Sequence, residues 1–100
     1  MAKEVILTPI AVNDFENVVA YLTHKWGIPT ANNFVDRFEK VSLLLSKDAS
    51  IFPFVNMAKQ IQKCILTKHN VLYFKETVET VKILTIFDTR QDPEKLNSFF

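Results

Sequence analysis

The chain has 100 residues, 48% of them hydrophobic, with one glycine, one cysteine and a formal net charge of +1. That length suits one domain, residues 1–100, with one core; a lone Gly27 excludes a glycine-rich phosphate loop, and a lone Cys64 excludes an internal disulfide. No run approaches the roughly 18–20 apolar residues of a membrane span, and Met1-Ala2-Lys3-Glu4 shows no signal-peptide pattern, so the cytoplasm is the expected compartment.

Lys3 to Thr8 reads as a short strand, with Val5 and Leu7 alternating against Glu4 and Ile6. Thr8-Pro9 is a helix start, a capping hydroxyl followed by proline at the first helical position. Phe15, Val18, Val19, Leu22 and Trp26 then recur at helical spacing on one apolar face, and Gly27 is a C-terminal stop. Pro29-Thr30 opens a second helix whose stripe is Ala31, Phe34, Val35, Phe38, Val41, Ser42 and Leu45. So short a connection predicts an antiparallel helical hairpin. Asp48 to Asn56 carries Pro53 and no period, and reads as a loop with Ile51, Phe52 and Phe54 tucked inward.

The second half changes to a period of two. Ile61, Lys63 and Ile65 share one face, with Gln62, Cys64 and Leu66 on the other; Thr67 to Asn70 is a turn. Leu72 and Phe74 alternate with Val71, Tyr73 and Lys75, and after Glu76-Thr77 the most apolar strand, Val81 to Phe87, is expected at the centre of the sheet. Asp92-Pro93-Glu94 starts a short final helix ending near Phe99-Phe100. The expected fold is α+β: an N-terminal strand, a helical hairpin, then a three-stranded antiparallel meander. Between Asp48 and Glu76 no acidic residue occurs, whereas Lys59, Lys63, Lys68 and Lys75 do. Such a segment is either a solvated strand edge or a surface for a polyanion or an acidic target.

The order of elements, with Leu7-Thr8, Ala11, Asp14-Phe15, Tyr21-Leu22, Trp26-Gly27, Lys63 to Tyr73 (KCILTKHNVLY) and Ile83 to Pro93 (ILTIFDTRQDP), resembles the RelE/ParE toxins, or plasmid-stabilisation family, of type II toxin–antitoxin systems. The resemblance spans nearly the whole chain. It implies a toxin with a cognate antitoxin protein as partner. RelE-like members cleave messenger RNA on the ribosome and ParE-like members act on DNA gyrase, so the target stays open between them. A degenerate, non-toxic member is a third possibility, and oligomeric state is left open.

Metal-free RNA cleavage would need an acid and a base at the 2′-hydroxyl and the leaving oxygen, with cations around the phosphorane. His69 offers an imidazole able to move a proton near neutral pH. Lys63 and Arg90 offer phosphate contacts, and Tyr73 a stacking or proton-orienting ring. These four are the candidate catalytic residues, with Lys59, Lys68 and Lys75 as candidate target-binding residues. Each has a plainer reading: His69 an exposed turn residue, Tyr73 core or rim, Arg90 a partner of Asp88 or Asp92. Two departures favour the ParE-like reading. Arg37 and Arg90 are the only arginines, and Ile61-Gln62-Lys63 and Asp88 stand where ribonucleolytic relatives often carry arginine and histidine. His24 and His69 lie far apart and Cys64 has no adjacent histidine, so neither metal nor cofactor is expected. Cys64 reads as a buried, inert thiol. Asp14, Glu16 and His24 read as a solvated helix face.

Overall fold

Strand β1 (Glu4–Leu7) runs directly into Thr8, whose Oγ1 accepts the Ala11 amide at 3.1 Å while Pro9 takes the first helical position. The cap expected from the sequence therefore forms. It also does a second job: the Thr8 hydroxyl donates to the Leu84 carbonyl at 2.7 Å, and the Thr8 amide to the Ile83 carbonyl at 3.0 Å. The helix start is thereby pinned to a strand more than seventy residues away in sequence.

The computed structural model describes residues 2–98 and residue 100. After β1 come α1 (Pro9–Trp26), α2 (Ile28–Asp48), a 3-10 turn (Ala49–Ile51), β2 (Phe54–Asn56), β3 (Ile61–Thr67), β4 (Asn70–Glu76), β5 (Thr80–Asp88) and a 3-10 segment (Pro93–Ser98). Gly27 alone separates the two helices. Its φ of 95° lies where side-chain-bearing residues are strained, and its amide reaches the Leu22 and Thr23 carbonyls at 3.1 and 3.0 Å. The second helix thus starts at Ile28, before Pro29, with no intervening loop. Phe15 meets Phe34 and Phe38 at ring-centroid distances of 5.6 and 4.8 Å, so the helices fold back along each other.

The sheet has five strands in the order β1-β5-β4-β3-β2, with β1 parallel to β5 and the other pairs antiparallel. The expected meander is its middle, β3-β4-β5. Both outer strands extend it, and the parallel β1 makes the sheet mixed. The apolar strand β5 is interior, but β4 holds the central place. Phe54–Asn56, expected within a loop, is a strand: three residues and a register shift are too short to leave a period. Gln62, only 1% exposed, donates to the Ala49 and Phe52 carbonyls at 2.9 and 3.0 Å and draws this segment onto the sheet. Phe52 tucks in, edge-on to Phe74 at 6.0 Å, but Ile51 and Phe54 remain exposed.

A β-bulge explains why alternation fails in β5. Tyr73 pairs with Thr85 but Phe74 pairs with Ile83, leaving Leu84 extra. Ile83 and Ile86, three residues apart, therefore both face the helices, where regular alternation would put them on opposite faces. The helix-side core holds Phe34, Leu45, Leu66, Leu72, Phe74, Val81, Ile83 and Ile86. Full burial of such side chains contributes about 1.5–3 kcal/mol each. Trp26, expected on the apolar face of α1, is 62% exposed as the last residue of that helix. On the opposite face Ile61, Tyr73, Phe87 and Leu96 cluster with Phe100. Phe99, expected in the terminal tail, lies outside the described residues.

Candidate functional site

At one end of the molecule, the last turns of α1, the first turns of α2, the β3–β4 turn and the exit of β5 enclose a cleft of about 750 Å³. Lys68, His69 and Arg90 all line it. Backbone pairing puts them together: the Thr89 amide donates to the His69 carbonyl at 2.8 Å, and Asn70 is the register partner of Asp88.

Arg90 is not free. Its Nε and Nη2 donate to the two oxygens of Asp88 at 3.0 and 2.7 Å, a forked pair on an exposed surface. Hydrogen bonding from Arg90 holds the Asp88 carboxyl below the usual carboxylate range, opposed by partial burial and aided by the charge of His69. The same bond, with Tyr21 contributing, pushes Arg90 above its ordinary value. Tyr21 is lowered, first by hydrogen bonding to Lys25 and secondarily by Arg90. The Lys25 Nζ lies 5.6 Å from the centroids of both Tyr21 and Trp26, and the Arg90 guanidinium 5.8 Å from that of Tyr21. An aromatic and cationic rim thus edges the cleft.

Lys63 and Tyr73 lie elsewhere. They are cross-strand partners on the sheet face turned away from the helices. Tyr73 is 9% exposed and packs edge-on against Phe100 at 5.4 Å, and burial raises its phenol above the ordinary value. Lys63 also borders a separate groove of about 400 Å³ between α2 and the edge of β3, beside Arg37, Lys40 and Ile65. Lys75 shares the outer face with Lys63 and stands directly opposite Lys82, a lysine the sequence reading did not single out. Like charges so placed repel, so this end of the sheet favours an anionic neighbour. Lys59 sits in the β2–β3 connection, where its amide donates to Asn56 Oδ1 at 3.0 Å. The four candidate catalytic side chains therefore divide between two regions: His69 and Arg90 at the end cleft, Lys63 and Tyr73 on the outer face.

Asp14 is the residue that sequence reasoning misplaced. Its Oδ2 accepts from the Thr85 hydroxyl at 2.5 Å and the Ile86 amide at 3.1 Å, capping the bulge at the cleft wall. The available signal was the word Asp14-Phe15, a polar residue one position before a core ring. Cys64 is buried, and desolvation raises its thiol.

No protein-family model matches the sequence, and no curated protein matches it. Solved structures do match by fold. A chain of the chromosomal ParDE toxin–antitoxin system from P. aeruginosa aligns with TM-score 0.73 and 15% identity over 87% of this chain and 96% of that one. The E. coli DinJ–YafQ complex gives 0.62 at 11% identity, covering 90% and 96%, and the Staphylococcus aureus YoeB–YefM complex 0.60 at 9%, covering 87% and 97%. A helical hairpin on one face of a mixed five-stranded sheet, matched over nearly the whole of each chain, gives this protein the same fold as chains of those three toxin–antitoxin complexes.

Proposed function

We propose that this chain is the toxin of a type II toxin–antitoxin pair and that it acts in the ParE-like manner, by binding a large target such as DNA gyrase without cutting RNA. One observation carries this reading: the side chains a metal-free ribonuclease would need do not converge. His69 and Arg90 flank the end cleft, with Arg90 already engaged by Asp88, while Tyr73 lies beneath Phe100 on the outer face. General acid–base chemistry requires its groups within hydrogen-bond reach of one substrate.

A cytoplasmic antitoxin with an acidic, extended segment is the partner this surface suits. Leu44, Ile51, Phe54 and Ile65 are exposed, and Arg37, Lys40 and Lys63 lie close to the edge of β3. Such apolar exposure is characteristic of a protein-binding surface. A RelE-like reading has one feature in its favour, the presence of Lys63, Tyr73, Lys75 and Lys82 on one sheet face. Induced expression of the wild type, Arg90→Ala and His69→Ala separates the readings. Growth arrest with DNA-damage signalling and intact transcripts is the expected result. Cleaved transcripts with loss of translation would transfer the assignment to a ribonuclease, and unimpaired growth would indicate a non-toxic member.

A further inference from the structure

The two edges of the sheet are built differently. At one, β2 is three residues long, follows Pro53 and carries a register shift, features that discourage pairing with another strand. At the other, β1 contains neither lysine nor proline, and its register against β5 runs unbroken from Glu4 to Leu7. No strand among the described residues lies on its outer side.

Backbone direction fixes what that edge offers. The Glu4 amide donates to the Glu79 carbonyl at 3.2 Å and the Thr8 amide to the Ile83 carbonyl at 3.0 Å, so the even-numbered residues turn their amides and carbonyls toward β5. Val5 and Leu7 turn theirs outward. This window has firm ends. The Lys3 amide is taken by the Ser46 carbonyl of α2 at 2.7 Å, and Pro9 has no amide hydrogen. On the outer face Ile6 is 38% exposed. Exposed apolar residues flank the window at both ends. Val78, 91% exposed, belongs to the turn that Lys3 Nζ ties to β1 through the Thr77 carbonyl at 2.6 Å, and Ile10, 54% exposed, to the first turn of α1.

We propose that β1 is the interface of a homodimer: a second copy docks edge to edge and antiparallel, about a two-fold axis through Ile6, joining the two sheets into one. In that register Val5 of each copy exchanges both backbone bonds with Leu7 of the other, so every free group is used. Shifted registers do worse. Centring the axis on Val5 sets Leu7 against Lys3, whose amide is taken, and centring it on Leu7 sets Val5 against Pro9, which has none. Antiparallel docking also places the Val78 end of one copy beside the Ile10 end of the other. Glu4 stands across from Thr8 of the second copy, at the start of a helix with no acidic residue in its first turn, where a carboxylate is favoured. The two Lys82 side chains, each beside an Ile6, lie three strand spacings apart, about 14 Å and beyond the screening length at physiological salt. The dimer stands independently of the toxin reading, because neither a target nor an antitoxin enters its geometry.

Sedimentation of the full chain from micromolar to submillimolar concentration should show a reversible dimer. Ile6→Lys, at an exposed position where circular dichroism should match the wild type, is expected to weaken association about tenfold or more. Cys64 is the only cysteine, so crosslinking is read in a Cys64→Ala background. There Ile6→Cys should form an intermolecular disulfide on mild oxidation, since opposed residues of a non-hydrogen-bonded antiparallel pair have Cα atoms about 4.5 Å apart. Glu4→Cys, across from Thr8, should crosslink at least about tenfold more slowly. A monomer at every concentration, equal crosslinking at positions 4 and 6, association unchanged in Ile6→Lys, or an edge occupied only when a different protein is added would each overturn the proposal.

Discussion

Asp14→Ala removes the acceptor for two donors in the wall of the core. Thr85 is 5% exposed and Ile86 4%, so neither its hydroxyl nor its amide can turn readily to water. Leaving a buried donor unpaired costs about 1–3 kcal/mol, and two donors on one oxygen give a loss of about 2–4 kcal/mol for the pair. For a domain of this size each kilocalorie lowers Tm by about 4–8 °C, so a fall of about 8–30 °C is expected. Asp14→Asn keeps a carbonyl acceptor and should lose about half as much. Urea and thermal unfolding followed by far-ultraviolet circular dichroism measure both. Thr85→Val should cost less in the Asp14→Ala background than alone, since the hydroxyl has then already lost its partner. A change under about 0.5 kcal/mol for Asp14→Ala, or strict additivity with Thr85→Val, would refute the capped-bulge account.

The two tyrosines should titrate apart: phenolate absorbance should show Tyr21 ionising below its ordinary value and Tyr73 above it, with Tyr21→Phe deleting the early step. Because folding keeps Tyr73 protonated after the unfolded chain has begun to ionise, stability should fall as pH rises through about 10.0, and Tyr73→Phe should flatten that loss in urea melts. Gly27→Ala should cost about 1–3 kcal/mol of stability through backbone strain, read as a lower urea midpoint. The nearest atom to an added Cβ, Pro29 Cδ, is a comfortable 3.8 Å away, so an unchanged midpoint would mean that the φ of 95° is not required.

Local chemistry was legible in the chain. A hydroxyl before a proline at Thr8-Pro9, apolar spacing from Phe15 to Leu22, glycine at position 27 and period-two alternation through β3 and β4 each act within a few residues. That is why both helices, the meander and the α+β class could be read in advance. The placement of β2, the extra residue at Leu84 and the engagement of Asp14 could not, because each depends on a partner thirteen to seventy-six residues away: Gln62 for Ala49, Thr8 for Leu84, Ile86 for Asp14.

The candidate site divides the same way. Residue types alone named His69, Arg90, Lys63 and Tyr73 as a set, since side-chain chemistry belongs to the residue. Which of them share a space is decided by strand register and pleat. Successive β-residues face opposite sides, and one bulge reverses the order beyond it. The chain by itself determined both helices and the strands of the meander; only their packing determined that a turn and a strand exit meet two helix ends around one cleft, because no local preference encodes distance between segments remote in sequence.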